Sequence, residues 1–157
     1  MNTGDLLLLL QEFAYLIGVF GFFITYAVVR GRQHVINLIA GLYFALLISL
    51  EFPYYDMLLG GEDDALGRVI IFGFFTIVST ILFTRLMPRE YQEKKFESFG
   101  KKLLLAIAGT VLVMVYSFHV LPVTDFVTPG TPIQSVFAPA EYFFWWLLAP
   151  LAILYFN

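Results

Sequence analysis

The chain has 157 residues, a formal net charge of −3 and no cysteine, and 60% of it is hydrophobic, 18% aromatic and only 13% charged, with a mean hydropathy of +0.83. That balance excludes an ordinary soluble domain and places the chain in lipid. The acidic pI near 5.2 excludes a basic field for nucleic acid, and the absence of cysteine excludes disulfides, thiol catalysis, iron–sulfur ligation and cysteine-based zinc sites.

Four or five helices of about 20 residues with short loops would use up this length, so the expected architecture is one all-α transmembrane bundle over residues 1–157. The first apolar run, Leu6 to Val29, is interrupted only by Gln11 and Glu12 and predicts a span over about 6–29. Its leader, Met1 to Asp5, lacks a basic n-region, so the expectation is a retained helix rather than a cleaved signal. A second span is expected over 35–52, ended by Pro53, with Tyr54 and Tyr55 at headgroup level. A third over 69–87 stops at Pro88, and a fourth over 103–121 meets Pro122. The last segment, 139–156, has Pro139 suited to a first turn but is short. It reads as a fifth span; were it re-entrant or interfacial, with Tyr142-Phe143-Phe144-Trp145-Trp146 as an aromatic belt, four spans would remain.

Lys and Arg mark the orientation. Arg30 and Arg32 follow span one, and Arg85, Arg89, Lys94, Lys95, Lys101 and Lys102 surround the link between spans three and four, leaving only Arg68 elsewhere. The positive-inside rule makes both loops cytoplasmic and puts the N-terminus, the acidic loop with Glu62-Asp63-Asp64 and the proline-containing loop from Pro122 outside. The segment 88–102 mixes these charges with Tyr91, Phe96 and Phe99, which suits either an amphipathic stretch on an anionic leaflet or a solvated turn.

Helices in a bilayer associate through small residues and hydroxyls. Span two carries Asn37, Gly41, Ala45 and Ser49 at four-residue spacing, span one Ala14, Gly18, Gly21 and Thr25, and span three Gly73, Thr76, Thr80 and Thr84. These stripes predict that spans one, two and three form the tight centre of the bundle; the alternative is a polar conduit. Span four offers Ala106, Gly109 and Thr110, and span five is bulky all round and therefore expected at the periphery.

A carboxylate inside an apolar run is costly and marks an ion path by default. Glu12 is such a residue, unless the span begins at Phe13 and leaves it at the boundary. Together with Glu51 and Glu141, also at outer helix ends, it would form a cluster for a cation or proton, with Arg68 a partner. His34 and His119 fall on opposite sides of the membrane and cannot share a metal. No phosphate loop, Ser-His-Asp set or metal-ligand motif occurs, so neither a metal nor another cofactor is expected and the chain reads as a non-enzyme.

Arg30-Gly31-Arg32 followed by Leu38, Gly41 and Leu42, a basic turn with Phe99-Gly100 entering the fourth span, and an outside loop with Ser135 before a last apolar segment together resemble the CvpA (colicin V production) family of small bacterial inner-membrane proteins. The acidic second loop and the aromatic end depart from it. The resemblance implies an inner-membrane location and a link to envelope homeostasis and export, and it transfers no catalytic residue. The functional expectation is a scaffold or accessory subunit, in a homo-oligomer or with other membrane subunits. The alternative is a small oligomeric cation or proton transporter using Glu12, Glu51 and Glu141.

Overall fold

The computed structural model describes residues 3–59, 65–87, 99–121 and 132–156, with the backbone alone given for residues 3–9, 11, 12, 56 and 132. All regular structure among them is helical: α1 (Thr3–Arg30), α2 (Arg32–Leu50), α3 (Tyr55–Leu58), α4 (Ala65–Leu86), α5 (Phe99–His119), α6 (Pro132–Phe137) and α7 (Ala140–Phe156). Four of these helices, α1, α2, α4 and α5, are long and apolar enough to cross a membrane. Helices suit that medium because each backbone polar group is satisfied within its own segment.

The α1–α2 turn is a single residue. Gly31 sits at φ 89°, in the left-handed region that a side chain resists, and its amide closes the end of α1 on the Ala27 carbonyl at 3.1 Å. This reverses the chain between Arg30 and Arg32. The second helix thus starts earlier than the hydropathy suggests and ends at Leu50, so Glu51 and Phe52 lie beyond it.

Contacts across α2 and α4 step in opposite directions, Gln33 with Met87 and Asn37 with Thr84, so the two run antiparallel. The same holds for α1 and α5, where Tyr15 meets Ser117 and Phe23 meets Gly109. Since α1 is antiparallel to both α2 and α5, those two run parallel. They form the middle of the bundle, with α4 packed on α2, α1 on both and α7 on α5.

The buried centre differs from the one the small-residue stripes predict. Within the chain 56% of α5 is buried, against 11% in each of the α1 and α4 spans. Leu105, Ala106, Leu112, Val115 and Tyr116 of α5 join Val35, Ile39 and Ala45 of α2 and Phe23 of α1 in one core. The fourth span, not the first, accompanies α2 at the centre.

The last helix is 17 residues long, about 25 Å, and descends along α5 from its His119 end. Phe143, Trp146, Leu147, Ile153 and Leu154 pack on the core and Pro150 is buried, while Tyr142, Phe144, Trp145, Tyr155 and Phe156 face outward. It is a shorter apolar helix than the other four, seated on the bundle along one face.

Candidate functional site

The polar residues of α2 and α4 meet in one seam. Gln33 Nε2 donates to Asn37 Oδ1 at 3.3 Å, and Asn37 Nδ2 donates across to Thr84 Oγ1 at 3.3 Å. The next turn brings Gly41 against Thr80, where an added Cβ would lie 2.9 Å from the Thr80 amide nitrogen and 3.1 Å from its Cα. The backbones touch there, as small residues allow in lipid.

Along α4 the hydroxyls are returned to their own helix: Thr76 donates to the Phe72 carbonyl at 2.9 Å, Thr80 to Thr76 at 2.7 Å and Thr84 to Thr80 at 2.8 Å. Ser49 of α2 donates likewise to its own helix, to the Leu46 carbonyl three residues back at 2.9 Å. Such i−3 and i−4 bonding satisfies a hydroxyl without water. The polar side chains of the seam are thus bonded across the two helices or back to their own backbone.

The α1–α5 contact is built the same way. Gly109 leaves room that the Phe23 ring fills. Ser117 donates to the Val113 carbonyl at 2.8 Å, so Tyr15 is the donor in its 2.8 Å bond to Ser117 Oγ. Thr110, buried in the same helix, donates to Ala106 at 2.7 Å.

Sequence reasoning passed over Pro150, yet it organises α7. Without an N–H it cannot donate to the Trp146 carbonyl four residues back. One residue further on, Tyr43 of α2 donates its hydroxyl to the Leu147 carbonyl at 2.5 Å, a bond from a neighbouring helix in the turn that precedes the proline. Two further bonds tie the short α6 to its neighbours: Trp146 Nε1 of α7 donates to the Val136 carbonyl at 3.0 Å, and His119 Nε2 of α5 donates to Phe137 O at 2.7 Å. Beside Phe72 the ring of Tyr116 is buried, and its hydroxyl has no hydrogen-bond partner among the described residues. A proline inside an apolar run, with tyrosines on other helices, was the available signal.

Between α1 and α4, over α2 and α5, lies a cleft of about 770 Å³ lined by Ala14, Gly18, Phe22, Val69, Gly73 and Thr76 among others. A Cβ added to Gly18, Gly21 or Gly73 would meet nothing within 4 Å. The Gly18–Phe22 wall continues toward the end of α1 as a groove of about 470 Å³ that includes Gly21, Thr25, Tyr26 and Arg30.

At the other end of the bundle a chamber of about 260 Å³ is bounded by Ser49, Phe52, Tyr55, Arg68 and Phe72. The Arg68 guanidinium sits 5.7 Å from the Tyr55 ring centroid, within cation–π range. Burial raises the Tyr55 pKa, against the opposing pull of a Ser49 hydrogen bond and the Arg68 charge, so the phenol is neutral at physiological pH.

The carboxylates lie apart from the seam. Glu51 is exposed at the C-cap of α2 and Glu141 is exposed in the first turn of α7. Of Glu12 only the helical backbone is described, and Arg89, Lys94 and Lys95 lie outside the described residues, as do the acidic loop at 60–64 and residues 122–131 of the proline-containing loop. Arg30 and Lys101 are exposed at helix ends, Arg32 and Lys102 half-buried. Ala45 is fully buried in α2. His34 opens α2 and His119 closes α5, at opposite ends of parallel helices. Among the described residues no three His, Asp or Glu side chains converge as a metal site.

Fold and composition together define a multi-pass helical membrane protein. No family model matches the chain, and neither a curated protein nor a solved structure matches it.

Proposed function

We propose that the protein is a non-enzymatic scaffold or accessory subunit of a membrane assembly. The observation that supports this reading is the closed α2–α4 seam. The Asn37, Thr76, Thr80 and Thr84 side chains that a conduit would require are bonded to one another or to their own helix, and Gly41 brings the backbones into contact. A chain whose interior polarity is spent on packing acts through its surface.

The surface best suited to a protein partner is α7. Its outward Tyr142 and Trp145 border a recess of about 510 Å³ with Ser135, Val136, Trp146 and Ala149, and the Tyr43 and Trp146 bonds fix its position. Rigid aromatic anchors beside a pocket are the pattern that concentrates binding energy. Following the positive-inside rule, the Arg30–Arg32 turn and the basic link before α5 face the cytoplasm and the N-terminus faces out. The CvpA resemblance adds a bacterial inner membrane and a role in envelope homeostasis or export.

The test is affinity purification from native membranes in mild detergent, with the intact assembly weighed by native mass spectrometry. A stoichiometric partner subunit, lost on Trp145→Ala, is the expected result. A homo-oligomer that carries cations into liposomes, and stops doing so on Glu12→Gln, Glu51→Gln or Glu141→Gln, would instead establish the transporter.

A further inference from the structure

The chamber at the end of the bundle away from Gly31 is walled by four helices. Ser49 comes from the last turn of α2, Tyr55 from α3, Arg68 and Phe72 from the first half of α4, and Val120 follows the end of α5. Buried Phe72 closes the space below and exposed Arg68 stands at its mouth. Aromatic contacts fix the wall: the Phe52 ring meets those of Tyr55 and Phe75 edge-on, each at 5.1 Å, and Phe72 meets Tyr116 at 5.6 Å. At about 260 Å³ the chamber lies below the roughly 300–1,000 Å³ of pockets for drug-sized ligands, so it suits an occupant the size of a lipid headgroup.

Its polar groups divide into acceptors and a cation. The Ser49 hydroxyl donates to the Leu46 carbonyl at 2.9 Å, so in its hydrogen bond with Tyr55 the phenol is the donor. Both hydroxyl hydrogens are thereby used, and the two oxygens present lone pairs to the chamber. The last turn of α2 adds the negative end of its helix dipole beside them. Arg68 carries the only charge among the described residues that line the space, and its guanidinium lies 5.7 Å from the Tyr55 ring centroid. Acceptors and guanidinium are thus about one aromatic ring apart.

We propose that the chamber holds a zwitterion that joins a phosphate to a primary ammonium, the headgroup chemistry of phosphatidylethanolamine, with the phosphate on Arg68 and the ammonium on the Ser49 and Tyr55 oxygens. A guanidinium takes phosphate in a bidentate fork, and an ammonium brings three hydrogens to acceptors that have none left to give. A choline headgroup has no N–H to donate, and a glycerol headgroup has no positive charge to set against the α2 dipole. The depth agrees, because Tyr55 and Arg68 lie where the spans end, at the level of lipid headgroups.

The experiment is a titration of the full chain in mild detergent, read by native mass spectrometry. The probes are phosphatidylethanolamine, phosphatidylcholine and phosphatidylglycerol with matched acyl chains, and free phosphoethanolamine. The expected result is one phosphatidylethanolamine per chain, held about tenfold more tightly than the other two lipids, as one charge-assisted hydrogen bond provides. Arg68→Gln should lower that affinity about tenfold, whereas Arg85→Gln, in the last turn of α4 at the other end of the bundle, should leave it intact. Tyr55→Phe should weaken phosphatidylethanolamine and leave phosphatidylglycerol unchanged. Val120→Phe, which fills the space, should abolish the preference and serves if the Arg68 variant folds poorly. Competition by phosphoethanolamine alone would also support the site and make the free zwitterion its occupant. Equal binding of the three lipids, tighter binding of phosphatidylglycerol, or a preference that survives both Arg68→Gln and Val120→Phe would each overturn the proposal.

Discussion

Gly41 and Gly18 are the same residue in apolar helices of one hairpin, and they do opposite things. At Gly41 the missing side chain lets α4 approach until Thr80 nearly touches the α2 backbone; at Gly18 it leaves a bare strip facing open space. The difference lies in the neighbour rather than the helix. Four-residue spacing puts small residues on one face, but whether another helix covers that face depends on how the chain returns. Here α4 comes back onto α2 and α5 onto α1, so α2 is covered and the glycine face of α1 is not.

The most forceful way to break this contrast is Gly41→Leu. Its side chain would have to displace the Thr80 backbone, and overpacking a closed contact costs about 3 kcal/mol or more. Denaturant titration in mixed micelles should show the midpoint falling well below that of the parent. A variant as stable as the parent would mean that α2 and α4 are not in backbone contact.

Next in size is the tie between α2 and α7. Tyr43→Phe removes the interhelical donor to the Leu147 carbonyl in the turn before Pro150, a loss of about 1.5 kcal/mol. Tyr116→Phe is its control. That hydroxyl is buried without a partner among the described residues, so its removal should be neutral or slightly stabilising. Equal losses in the two variants would contradict the assignment of the hydrogen bond to Tyr43 alone.

Asn37→Leu should cost less, about 1 kcal/mol, because a single interhelical side-chain hydrogen bond in a membrane averages below that and seldom exceeds it by much. The double variant with Thr84→Val tests the pair directly. If Asn37 and Thr84 act through one bond, the two losses will not add.

Much of the architecture was legible in advance. Apolar run length and the prolines at 53 and 88 delimit the spans to within a few residues, because a helix must match the hydrocarbon thickness and the residue before a proline resists helical geometry. What stayed hidden was pairing. The stripes on spans one, two and three look alike, yet α5, with Ala106, Gly109 and Thr110 as its small residues, is the most buried helix. Its neighbours on three sides come from chain return, which hydropathy does not encode. The tyrosine bonds were hidden for a similar reason: Tyr15 with Ser117 and Tyr43 with Leu147 are more than 100 residues apart. For Glu51 and Glu141, reading them at helix ends required only span boundaries, and both sit there, exposed.

The smallest effect is the most informative about the uncovered face. Glycine inside a helix is about 1 kcal/mol less favourable than alanine, and at Gly41 close packing offsets that. At Gly18 nothing described does, because no neighbouring atom outside the helix's own backbone lies within 4 Å of a new Cβ. Gly18→Ala should accordingly leave the isolated protein unchanged or more stable by up to about 1 kcal/mol, measured in detergent at low lipid. A loss of stability already in lipid-free detergent would show instead that α1 has a close neighbour at Gly18, and the distinction between the two glycines would then fail.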